Sequence, residues 1–304
     1  MIDQTARSEQ IGVLLAIGSY LMWGLSGLYF VLIAWVPPEE VIAHRIIWTA
    51  LLLAPALLIK GRVDMVKAIF ANRRTRWLLV LSSILMAMPW YLFVWAITNG
   101  VALDASMGFF LLPLVVVLLA SVLLRERLNP RQCLAVGLAA IGVVYLIWAR
   151  GTPPWLALGC AVTFGLYSLL RKKLSLDPLI GLLLETALLT PLALLYILVI
   201  EWTGPGTTFL HTDPMLMLLI LGTGPFTAGT LLLFTAAARR IRLTTLGILQ
   251  YLNPSCQLLV AIFIFGEPFD HIQFVTFLFI WSGLLLYSCD VPALVGWWQA
   301  RASR

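Results

Sequence analysis

Charge is what this sequence has least of. Asp, Glu, Lys and Arg together make up 11% of the 304 residues, while 61% are Ala, Val, Ile, Leu, Met, Phe, Trp, Tyr or Cys. Soluble domains run at about 45–50% apolar and about 25% charged. A water-soluble globule of this size could not clothe its surface with so few charges, so that class is excluded. Cysteine is scarce as well. Cys133, Cys160, Cys256 and Cys289 lie in or at the ends of apolar stretches, without a CxxC pair or a histidine at zinc spacing. That excludes a disulfide scaffold and reads all four as small buried hydrophobes. Glycine, at 22, and proline, at 16, are too few for a collagen-like or low-complexity chain. No HExxH, GxSxG, paired-Asp or Walker A motif occurs, so no intramembrane hydrolase and no ATPase is written here. Neither a metal nor a cofactor is expected.

What the chain does have is long apolar runs. They fall at roughly 11–35, 41–59, 77–98, 103–124, 132–148, 155–170, 181–200, 215–237, 245–265 and 273–288. Crossing a hydrocarbon layer takes about 20 apolar residues as a helix, whereas barrel strands alternate over about ten. The reading is an all-α polytopic membrane protein of ten transmembrane helices, its first run a retained helix rather than a cleaved signal. Of the 20 Lys and Arg, 18 lie in the N-terminus, the even-numbered loops and the C-terminus; only Arg150 lies on the other side and Arg45 inside a span. The positive-inside rule then puts both termini in the cytoplasm. These basic residues are topological anchors, so the net charge of +6 implies no nucleic-acid partner. Trp35, Trp77, Trp148, Trp155, Trp202, Trp297 and Trp298 sit at span ends, as an interfacial belt should.

The chain also matches itself at one offset. Gly18 and Gly159, Trp23 and Phe164, Gly24 and Gly165, Phe93 and Phe234, Pro113 and Pro254, Glu126 and Glu267, and Gly142 and Gly283 are each 141 apart. Two units follow, 1–150 (spans 1–5) and 151–304 (spans 6–10). Five spans is an odd number, so the copies lie in opposite orientations, the architecture of transporters that open alternately to each side. Pro55, Pro89 and Pro113 fall in spans two to four, and Pro191, Pro225 and Pro254 in spans seven to nine. Interior prolines kink helices, and a membrane tolerates the freed carbonyls beside other helices or a wet cavity. Pro113 and Pro254 are therefore expected as hinges or cavity walls near the midplane.

Six segments carry a resemblance: His44–Trp48 (HRIIW), Asp104–Leu114 (DASMGFFLLPL), Leu166–Lys173 (LYSLLRKK), Leu183–Thr186 (LLET), Phe234–Ala238 (FTAAA) and Leu243–Pro254 (LTTLGILQYLNP). With the two P-x12-E units, the chain resembles the EamA branch of the drug/metabolite transporter superfamily, and within it the RarD subgroup of bacterial inner-membrane proteins. The resemblance covers nearly the whole chain. It implies a small-molecule permease with alternating access. One departure is that the family's GE pair stands as Arg125-Glu126 in the first half and as Gly266-Glu267 in the second.

Ionisable groups inside a membrane are costly and so are functional candidates. His44, Arg45 and Glu185 qualify, and His44 and Glu185 are themselves 141 apart. They read either as gate or substrate-charge residues at opposite mouths, or as structural groups, with Arg45 snorkelling to Glu39 or Glu40 and Glu185 pairing with Arg171, Lys172 or Lys173. Glu126 and Glu267 read as structural carboxylates closing helix-hairpin turns. Asp104 and Thr245 read as N-caps of spans four and nine. Trp23, Trp90, Phe109, Phe110, Gln250, Tyr251 and Asn253 lie near midspan as candidate pathway residues. Together they suggest a secondary-active permease or exporter for small amphipathic or aromatic metabolites, amino acids and drugs among them, with Glu185 and His44 as candidate carriers of a coupling proton. The alternative on the same fold is a flippase for lipids or lipid precursors, which would need a lateral polar groove.

Overall fold

The computed structural model describes residues 2–59, 66, 69–124, 128–174, 176–204, 206–241, 245–246 and 249–288. Among these the regular structure is helical, with no strand. The elements are α1 (Ile2–Gly24), α2 (Ser26–Phe30) continued by a 3-10 turn at Val31–Ile33, α3 (Pro38–Ile59), α4 (Arg73–Thr98), α5 (Ala102–Leu124), α6 (Pro130–Arg150), α7 (Trp155–Leu174), α8 (Pro178–Thr203), α9 (Pro214–Ala238), α10 (Leu252–Phe263) and α11 (His271–Ser288). Five of them, α4, α5, α6, α8 and α9, are long and apolar enough to cross a membrane. The pair α1 and α2 makes a sixth span if its 42° bend lies within one crossing. The apolar helices α7, α10 and α11 are shorter, and α3 carries Glu39, Glu40 and Arg45 in its first turns. The chain is a multi-pass membrane protein.

Helix ends are fixed by side chains. Asn72 caps α4 by accepting from Thr75 N, and Asp213 caps α9 by accepting from Met215 N and Leu216 N. Reciprocal capping boxes open α6 (Asn129 with Gln132) and α11 (Asp270 with Gln273). Each box satisfies two orphan backbone donors. Asn72 and Asp213 are 141 residues apart, and so are Asn129 and Asp270. Asp104 is not the N-cap of α5; it is the helix's third residue, and the first amides, Ala102 N and Leu103 N, donate instead to Glu267 at 2.7 and 2.8 Å. Glu267 thus pins the α10–α11 turn onto the start of α5. Residues 242–244 beside Thr245 lie outside the described residues, as do Glu126, Cys289, Trp297 and Trp298.

The packing pairs α6 with α11, α5 with α7, and α3 with both α8 and α9, while α4 lies on α7 and α8 and α1 on α9. Gly142 and Gly283 set the α6–α11 contact. A Cβ at Gly142 would stand 3.0 Å from Thr276 O, and one at Gly283 2.6 Å from Ala135 O. Without a hydrophobic drive between helices in lipid, such close backbone contact supplies the packing. The largest buried cluster includes Phe30, Ile33, Phe93, Phe110, Leu258 and Phe277. Trp35, Trp77, Trp148, Trp155 and Trp202 are all exposed, as expected of side chains facing lipid or its interface.

One proline expectation changes. Pro254 is not inside a long helix but at the third residue of α10, after a turn at Gln250–Tyr251. A first-turn proline loses no helical hydrogen bond, so Pro254 breaks none within α10. The sharp bend in the first span has no proline. It falls at Leu25 between Gly24 and Ser26, whose hydroxyl donates back to Trp23 O at 2.6 Å. A glycine–serine pair is a recognised cause of such a kink.

Candidate functional site

Arg45 and Glu185 are each the eighth residue of their helices, α3 and α8, about 10 Å along the axis at 1.5 Å per residue. Both are buried, Arg45 at 4% exposure and Glu185 at 0%. Arg45 does not snorkel to Glu39 or Glu40. Its Nε donates to Thr227 Oγ1 on α9 at 2.8 Å, and its guanidinium lies 3.9 Å from the ring centre of Trp90 and 5.5 Å from that of Phe30. Thr227 gives its own proton to Thr223 O at 2.8 Å, so its oxygen is left to accept from Arg45. Tyr29 stacks on Phe226 beside this centre and donates to Leu219 O. Gly224, one turn before Thr227, makes the approach possible, since a Cβ there would lie 2.5 Å from Trp48 Cβ.

Glu185 is held differently. Ser82 Oγ on α4 donates to its Oε1 at 2.5 Å and the Tyr167 hydroxyl to its Oε2 at 3.2 Å. Arg171 Nη1 stands 3.6 Å from Oε1 and has no hydrogen bond of its own. Arg171, one of the basic residues proposed as its partner, reaches it; the Lys172 side chain lies outside the described residues.

His44 belongs to a third cluster, at the start of α3. Its Nδ1 accepts from Trp48 Nε1 at 3.2 Å, and its ring lies 4.6 Å from that of Phe209. Its Nε2 is buried without a hydrogen bond, 3.8 Å from Glu40. Glu40 accepts from Thr208 Oγ1 at 2.8 Å and from Phe209 N at 2.9 Å, tying the α8–α9 connection down over His44. His44 and Glu185, equivalent by spacing, therefore have unlike surroundings.

The midspan candidates separate. Trp90 joins the Arg45 centre. Trp23 packs with Tyr20 and Phe234 in another aromatic group between α1 and α9. Asn253 accepts from Gln257 Nε2 at 3.0 Å, Gln250 and Tyr251 are half-buried in the turn before α10, and Pro254 O accepts from Ser106 Oγ at 3.1 Å. A void of about 10 Å³, room for about one water, lies between Gly24 and Gly27 at the bend, Phe93 and Ile97 of α4, and Gln257 of α10; neither Pro113 nor Pro254 lines it. In the α10–α11 connection, burial raises the Glu267 carboxyl above its usual range against the opposing pull of the Leu103 and Ala102 amides. The amide of Gln273, then Arg150, hold Asp270 below its own. Among the described residues no group of three His, Cys, Asp or Glu could hold a metal. Thr227, Tyr29, Phe30 and Ser82 went unnoticed in the sequence, because hydroxyls and rings are common in membrane helices and only the fold turns these toward a charge.

Apolar helices packed through glycines around buried charges fit a membrane transporter. The chain belongs to the EamA-like transporter family, whose model matches residues 10–148 and again 153–289. It is 42% identical to the uncharacterized transporter PA0485 of Pseudomonas aeruginosa over 281 residues, 92% of this chain and 93% of that one. Protein RarD of Escherichia coli strain K12 is 38% identical over 286 residues, 94% of this chain and 96% of its own. The uncharacterized transporter YojE of Bacillus subtilis is 39% identical over 280 residues, covering 91% and 93%. A solved crystal structure aligns with a TM-score of 0.54 at 21% identity, over 90% of this chain and 96% of the other, a likeness of fold alone.

Proposed function

We propose that the protein is a secondary-active permease or exporter of small amphipathic or aromatic metabolites, working by alternating access in a bacterial inner membrane with both termini cytoplasmic. In this reading the ten apolar windows all cross, residues 1–150 and 151–304 are inverted copies, and Arg45 and Glu185 act on opposite gates of one pathway. The observation that carries it is the pairing of buried charges across the halves. Arg45 of α3 is bonded by a hydroxyl of α9, and Glu185 of α8 by a hydroxyl of α4. Shifting α3 and α4 by 141 residues brings them onto α8 and α9. The charge ledger then puts the start of α3 outside and the start of α8 in the cytoplasm. The paired caps at Asn72 and Asp213, and at Asn129 and Asp270, support the duplication.

Thiol labelling tests the gates. In a background without the four native cysteines, a single cysteine replaces Phe226, whose ring stacks on Tyr29 next to Arg45. Arg45→Ala is expected to change its labelling by an impermeant reagent added outside, and Glu185→Ala its labelling from inside. Labelling unchanged from either side in both variants would return both residues to a structural role.

A further inference from the structure

Arg45 stands apart from every other buried charge among the described residues. Glu40 has Thr208, Phe209 N and nearby His44; Glu185 has Ser82, Tyr167 and Arg171. Arg45 has no acidic partner among them, and one hydrogen bond, made by Nε. A guanidinium carries five N–H donors in a rigid fork that matches the two oxygens of a carboxylate. The Nη nitrogens of this fork make no hydrogen bond to a described residue; the rings of Trp90 and Phe30 flank the guanidinium, their centres 3.9 and 5.5 Å from its carbon. A cation inside a membrane is ordinarily paired or turned to water. Here the surroundings fix its orientation and leave its charge uncompensated. Thr227 adds to this, because its proton is committed to Thr223 O and its oxygen locks the Nε edge of the guanidinium.

Resting on the transporter reading, we infer that Arg45 is the docking point for the carboxylate of the transported solute, whose apolar or aromatic body lies against the rings of Trp90, Phe30 and Tyr29. The missing counter-charge is supplied by the cargo. This makes the solute class anionic or zwitterionic: an arylalkyl carboxylate or an amino acid with a large apolar side chain. A cationic solute would face Arg45 with like charge, and a neutral amide of the same shape cannot neutralise the fork.

The test uses the full-length protein purified in detergent, with binding read by equilibrium dialysis and thermal shift. The probes are 3-phenylpropionate and 3-indolepropionate against the amides of both acids. The acids are expected to bind at least tenfold more tightly than the amides. Arg45→Gln should abolish that preference, and Arg45→Lys, which keeps the charge but loses the fork, should weaken acid binding at least tenfold. Arg150→Gln, at the surface, should change nothing. If Arg45→Gln does not fold, Thr227→Val, which leaves the guanidinium in place but frees its Nε edge, should weaken acid binding severalfold. Equal binding of amides and acids, no binding of either acid, or a preference that survives Arg45→Gln would overturn the inference. Counterflow in liposomes separates it from the reading beneath it. Movement of the amides but not the acids would keep the transporter and remove the anion site. Acid binding through Arg45 without counterflow of any probe would keep the anion site and remove the transporter.

Discussion

A buried guanidinium with no carboxylate beside it is expensive for a protein to keep. Insertion scales put such a charge at roughly 2.5–3.5 kcal/mol near the bilayer centre. One face-on aromatic contact returns about 2 kcal/mol when desolvated, and one hydrogen bond to a charged donor about 1.5–3. The returns at Arg45 are of the order of the cost, so an apolar side chain of similar length should fit there with little loss of stability. The expected outcome is that Arg45→Met leaves the melting temperature of the purified protein unchanged or raises it by a few degrees while transport is lost. Thermal unfolding checks this, and a fall of more than about 5 °C would make Arg45 structural. Glu185 should behave oppositely, because Ser82, Tyr167 and Arg171 converge on it. Glu185→Leu strands these partners and should lower the melting temperature, since a buried pair broken on one side costs about 3–5 kcal/mol. Both charges stood out in the sequence as ionisable residues within apolar runs. Their partners did not. Thr227 lies 182 residues from Arg45, and Ser82 lies 103 from Glu185. No local pattern joins such positions; only the crossing of α3 with α9 and of α4 with α8 does.

Among the helices, the decisive features are the ends and the close approaches. The Glu267 carboxylate receives both leading amides of α5, so Glu267→Ala leaves two orphan donors in a half-buried place. About 2 kcal/mol is expected, read as a lower melting temperature, with Glu267→Gln intermediate because one amide oxygen remains to accept. Gly224 is the corresponding point for α9. Gly224→Val places two methyls where Trp48 already stands and should force α9 from α3 at a cost of about 1–3 kcal/mol. Transport should fall with it, since Thr227 is one turn away; a variant of wild-type activity would separate Thr227 from the pathway. The sequence marked Glu267 as structural on the strength of its place in the turn that matches that of Glu126, though not which helix it serves. Asp104 misled for a physical reason. An acidic residue near a helix start reads as a cap, yet α5 begins two residues earlier and its cap comes from the second half of the chain. The kink at Leu25 was hidden because Gly24 and Ser26 signal a bend far less loudly than proline does.

For the molecule as a whole, the all-helical membrane class and the family were legible from one sequence, because apolar length and an ordered set of short segments need no tertiary information to be read. The lag also held for two pairs of helix caps, Asn72 with Asp213 and Asn129 with Asp270, whose Asn and Asp are chemically alike but not identical. An inverted arrangement predicts that a reporter fused after Arg304 is cytoplasmic, as is one placed between α4 and the span before it; an extracellular signal at either would break the topology. On the proposed function, Arg45 and Glu185 serve one transport pathway from opposite ends. Solute counterflow in sealed liposomes holding the wild type, Arg45→Gln or Glu185→Gln, with labelled 3-phenylpropionate as probe, tests it most directly. Exchange by the wild type and a loss of at least tenfold in each variant are expected at equal amounts of folded protein; exchange at the wild-type rate in either variant would remove that residue from the pathway.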